Sequence, residues 1–84
     1  MSKEDDIYFG EHAEAALSNP AIQAAFSRYK AKIFEQWMAT GLFQNKERKD
    51  LWRLARSIDE VEQELQVMIE DANQARYDLQ NKQN

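Results

Sequence analysis

Cysteine is absent from this 84-residue chain, histidine and proline occur once each, and glycine occurs twice. Without cysteine there are no disulfides and no thiolate metal ligands. With His12 as the single imidazole, no histidine-rich metal cage can be built. The lack of cysteine fits a reducing compartment. No run approaches the ~20 consecutive apolar residues of a membrane-spanning helix, so no membrane partner is expected. Met1-Ser2-Lys3-Glu4-Asp5-Asp6 is acidic and polar, the opposite of a signal peptide's basic start and apolar middle. The protein is expected to stay in the compartment where it is made. No β-branched alternation lasts four residues, so the ordinary strand signal is missing.

Catalytic constellations are missing as well. His12, beside Glu11 in an alanine-rich stretch, has no Ser or Asp at a signature spacing and reads as a solvent-facing residue. Asp59, Glu60, Glu62, Glu64, Glu70 and Asp71 are dense in acid. They lack the loop spacing with a central glycine that a calcium site needs. Glu60 and Glu64, four apart, read as part of a solvated face. No Gly-rich phosphate loop occurs. The expectation is no enzyme, no cofactor, no catalytic residue and no metal ligand.

What is present is helical periodicity. Ser18-Asn19-Pro20 is a helix start, with Ser18 or Asn19 as N-cap and Pro20 in the first turn. From there Ile22, Phe26, Tyr29, Ile33 and Trp37 recur at spacings of 4, 3, 4 and 4, a helical stripe that Phe34 and Met38 widen. Thr40-Gly41 ends the segment, Gly41 being suited to a left-handed closing residue. Leu42 and Phe43 are expected to fold back as an apolar plug. Beyond them Leu51, Leu54, Ile58, Val61, Leu65, Met68, Ala72, Ala75 and Leu79 alternate spacings of 3 and 4, a coiled-coil-like seam. Upstream, Gly10–Leu17 is rich in alanine and helix-prone.

These segments predict an all-α single domain over 1–84. Its parts are a flexible N-terminus (1–9), a helix (10–18), a helix (20–39), a turn (40–45), a long helix (46–79) and a flexible tail (80–84). The first two helices, kinked at Asn19-Pro20, form one arm of a long helical hairpin packed antiparallel on the last. The late alanines of the long helix are expected to lie against the alanine-rich first helix, where backbones approach closely. Tyr8, Phe9, Phe34, Met38, Trp52, Val67 and Ile69 fall off the main seams. A chain of this size buries only about 60% of its unfolded surface, so self-association into a homo-oligomer, such as a four-helix bundle, is expected to complete the core.

The net charge of −4 hides a segregation. Residues 28–56 carry eight Lys or Arg against three acids, and 57–84 carry two against seven. Lys46, Arg48, Lys49, Arg53 and Arg56 gather around Trp52, a basic ridge with an aromatic in its middle. Such a ridge fits phosphate backbone, the acidic surface of another protein, or the 57–71 stretch of a neighbouring copy. The plainer alternative packs Trp52 against Phe43, with Arg56 over the ring and the remaining cations solvated. The acidic 57–71 surface can in turn mimic a nucleic-acid backbone.

One further pattern spans residues 13–76. Leu17, Asn19 and Pro20, then Ala25-Phe26, then Trp37 and Thr40, precede Arg48, Leu51 and Trp52, with Val61 and Leu65 further on. This order resembles a family of small helical proteins encoded by tailed bacteriophages. Its members share a Leu-x-Asn-Pro start, a Trp-x-x-Thr helix end and an Arg-x-x-Leu-Trp element opening the last helix. Family members carry Thr-Gly-Lys-Leu-Ala near the end of that helix, where this chain reads Glu70-Asp71-Ala72-Asn73-Gln74-Ala75, so the helix is expected to run farther here. The resemblance implies a non-enzymatic accessory protein, encoded among head, portal and packaging genes, acting in virion assembly or DNA packaging. It also implies a place in the host cytoplasm with virion association, and partners that are phage or host proteins. Nucleic-acid binding through the basic turn, and inhibition of a host protein by helix docking or acidic mimicry, stand beside it as alternatives. The family supplies no active-site residues to transfer.

Overall fold

The computed structural model describes residues 2–41 and 43–82. They form three helices, α1 (Lys3–Ser18), α2 (Pro20–Ala39) and α3 (Asn45–Lys82), and no strand forms among the described residues. α1 and α2, with 16 and 20 residues, together match the 38 of α3. Both pack antiparallel on it as one arm: Arg76 reaches Glu11, Lys30 reaches Asp59, and Arg48 reaches Trp37. The hairpin is a slab of 63 × 24 × 15 Å. No helix among the described residues is long and apolar enough to cross a membrane.

Four departures from the sequence expectation have local causes. The first helix starts at Lys3 instead of Gly10, so the stretch 3–9 is helical. Ser2 caps it, its hydroxyl accepting the Asp5 N–H at 3.1 Å, and Glu4, Asp5 and Asp6 set negative charge on the positive end of the helix dipole. The last helix continues through 80–82, carrying Lys82 where a cation favours its C-terminus. Met1, Gln83 and Asn84, the rest of the two expected flexible ends, lie outside the described residues. Gly41 does not close α2, since neither glycine has positive φ. Instead Thr40 turns extended, and both its N–H and its hydroxyl donate to the Trp37 carbonyl, at 3.1 and 2.6 Å. Finally, Phe43 is 97% exposed, so it neither plugs the turn nor packs on Trp52. Leu42, its expected partner, lies outside the described residues.

The junction between α1 and α2 follows the sequence closely. Proline crowds the residue before it out of helical space, and Asn19 is accordingly extended, at φ −75° and ψ 121°. Its side-chain oxygen then accepts the Ala21 and Ile22 N–H groups at 2.8 and 3.3 Å.

Packing on α3 is uneven along the rod. At the α1 end the buried residues are small: Gly10, Ala13, Ala72 and Ala75. A Cβ placed on Gly10 would stand 2.1 Å from Ala72 Cβ and 2.8 Å from the Met68 carbonyl oxygen, so the two backbones approach as closely as only glycine permits. At the α2 end the interface is wider and filled by larger side chains, with Ile33 buried and Phe26, Trp37, Leu51 and Ile58 half-buried. Lys30 spans it, paired with Asp59 at 2.9 Å and with Glu62. These two carboxylates hold the Lys30 ammonium above its usual pKa of 10.5.

The predicted seam is covered unevenly. Leu65, Met68 and Leu79 are half-buried, but Leu54 and Val61 on α3, and Ile22 and Tyr29 on α2, remain exposed. A straight α-helix drifts about 20° per heptad away from a 3.5-residue repeat, and one neighbouring helix covers only one side of the stripe.

Candidate docking surface

At about 100° per residue, Trp52 and Leu54 lie ~200° apart around α3, so the slab has two apolar flanks. On the first, a groove of about 380 Å³ runs between α2 and α3. Ile33, Phe34, Trp37, Leu51, Trp52 and Ala55 line it, and Lys30 and Asp59 close one end. The groove is almost wholly apolar, and its rims stand in water: Phe34 is 61% and Trp52 59% exposed. The second flank begins at a shallow, more polar depression bounded by Gln36, Thr40, Glu47, Asp50 and Leu51. Tyr29 is one heptad back from Gln36 and Leu54 one turn on from Asp50, so both share this side. Val61, a further heptad along, is 53% exposed.

The basic ridge is built differently from its sequence reading. Arg48, half-buried, leaves the face it shares with Trp52 and lies over the Trp37 ring at 3.9 Å from the centroid. A cation in this position is attracted by the ring's quadrupole. Arg56 sits over Trp52 at 5.5 Å and pairs with Glu60 at 3.4 Å. Arg53 approaches Asp50 at 3.9 Å. Lys46 and Lys49 are exposed. Arg48, Lys49 and Trp52 do converge, together with Trp37 and Asn45, around an open depression of about 460 Å³ at the turn end. Lys46, Arg53 and Arg56 lie outside it. Three of the five cations are thus engaged within the chain, which lowers the free charge the ridge presents.

Two contacts were not foreseen from sequence. Trp37, assigned to the seam, also carries Arg48; the signal was their equal distance from a turn centred near 42–43. Lys30 was not marked: a turn centred there sets it level with Ala55, one helical turn short of the Asp59 it pairs with. His12 is exposed, its ring edge-on to Tyr8 at 4.5 Å. Among the described residues no three His, Asp or Glu side chains gather as metal ligands would. These geometries suit burial of a partner's apolar side chains with flanking charge contacts. No protein-family model, curated protein or solved structure matches the chain.

Proposed function

We propose that this protein is a non-enzymatic docking protein, a helical rod that acts through protein–protein contacts. The observation that carries the reading is the row of large apolar side chains left in water on both flanks: Phe34, Trp52 and Met38 on one, Tyr29, Leu54 and Val61 on the other. Contiguous exposed apolar surface rimmed by charge marks interaction sites, and aromatic residues are enriched in the cores of such interfaces. The chain exposes 6740 Å². A compact protein of its 9.9 kDa exposes about 5,200 Å² by the usual size scaling. The excess, about 1,500 Å², is about twice the ~800 Å² that each partner buries in a standard protein–protein interface.

The resemblance to small tailed-phage proteins supports placing this activity among phage accessory functions, in virion assembly or DNA packaging inside an infected host. Affinity capture from infected cells tests the proposal, with the wild type and Val61→Glu compared. The wild type is expected to retain a phage head, portal or packaging protein, and Val61→Glu to lose it. Retention of a host nuclease or polymerase instead would move the reading to host inhibition. Nuclease-sensitive retention of DNA or RNA would move it to nucleic-acid binding.

A further inference from the structure

We infer that the Trp52 flank of α3 is occupied by a second copy of this chain, laid antiparallel across a twofold axis passing between Asp59 and Glu60. The inference rests on the docking reading above and names the occupant of one of its two flanks. Its basis is a palindrome on one face of α3. Lys49, Trp52 and Arg56 are followed at mirrored spacings by Gln63, Val67 and Glu70, and all six lie within a sector of about 60°. Each is exposed in the single chain. Asn45 and Gln74 extend the pattern one step at either end.

Reversing a second helix about the midpoint opposes Lys49 to Glu70, Trp52 to Val67 and Arg56 to Gln63, each pair occurring twice by symmetry. Opposite charges meet, and the indole that rims the groove meets an aliphatic side chain. The basic first third of α3 lies on the acidic remainder of its partner, which parallel pairing would instead set like against like. The two carboxylates nearest the axis are already held at home, Asp59 by Lys30 at 2.9 Å and Glu60 by Arg56 at 3.4 Å. They therefore bring little unpaired charge to the crossing. The surplus surface of the single hairpin exceeds the ~800 Å² that each partner of a standard interface buries, so it suffices for a dimer.

Lys49 and Glu70 stand about 32 Å apart along one helix, so any coupling between them must pass between chains. That makes charge exchange the test. Sedimentation equilibrium across micromolar concentrations is expected to show a reversible dimer for the wild type. Lys49→Glu and Glu70→Lys should each weaken it on the order of tenfold, because a like-charge pair then appears twice. The double variant should restore wild-type association, with helicity by circular dichroism unchanged throughout. Spin labels on Gln74→Cys, in a chain with no other cysteine, should lie about 44 Å apart along the antiparallel axis. Parallel pairing would hold them near the ~10 Å interaxial spacing. A wild type that stays monomeric, a double variant that fails to recover, or the short label distance would overturn the inference. Partner capture through Val61 by a monomeric wild type would sink this inference while leaving the docking reading intact, and a dimer that captures no partner would do the reverse.

Discussion

Gly10 is the position where a single atom has the largest expected effect. In an exposed helix Gly→Ala stabilises by about 1 kcal/mol through propensity. Here the added methyl meets Ala72 at 2.1 Å. Gly10→Ala is therefore expected to destabilise the protein by about 1–3 kcal/mol, the usual cost of overpacking, read as a lowered thermal midpoint. Gly41, whose added Cβ would meet only the Gln44 side chain at 3.6 Å among the described residues, should accept alanine with little change. Lys30 makes a different prediction. Its pKa is raised by Asp59 and Glu62, so its contribution is complete below 10.5 and is lost as pH rises through the higher folded value. The stability difference between wild type and Lys30→Met, followed by denaturant unfolding, should shrink across that alkaline window and stay level just below it. A difference that grew with alkalinity would contradict the ion-pair assignment. Neither residue was marked in the sequence, because their roles depend on which side chain stands opposite, and one-dimensional spacing does not carry that.

Helices and their joints were far more legible. Asn19-Pro20 identified a cap and a kink through rules that act within four residues, and the structure places both there. Asn19→Ala is expected to cost about 1 kcal/mol and to loosen the α1–α2 joint, measurable as lost helicity on mild heating. The turn between α2 and α3 was read less well. Glycine and an apolar pair suggested a left-handed closure with a plug, whereas Thr40 closes the helix by bonding back to Trp37 and Phe43 faces solvent. Threonine and glycine both satisfy the last carbonyls, and the sequence offers them side by side. The seam of α3 was right in register, yet Leu54 and Val61 stand clear of the arm, since periodicity shows which residues share a stripe and not how wide a neighbour covers it. Arg48→Ala should uncover Trp37 and shift tryptophan emission to longer wavelength; an unchanged spectrum would mean the stacked guanidinium does not shield the ring.

For the whole molecule, the size of the chain led to the expectation of a small interior. Its buried set among the described residues is small: Gly10, Ala13, Ile33, Ala72 and Ala75. The proposed second copy should stabilise it by mass action. Thermal midpoints are accordingly expected to rise with protein concentration for the wild type, and in Lys49→Glu to do so only at concentrations on the order of tenfold higher. The candidate surface was partly readable, since the off-seam aromatics were identified from spacing alone. Capture of Arg48 by Trp37 was not foreseen, although the two stand equally far from the turn.

The graded spacing of the arm against α3, tight at the alanine end and looser toward the turn, gives the hairpin a preferred direction of unzipping. Amide protons of α2 and the first turns of α3 should exchange with solvent well before those around Ala72, and chymotrypsin should reach the bare Phe43 ring first. A chain nicked there would still hold together, clasped at the far end by α1.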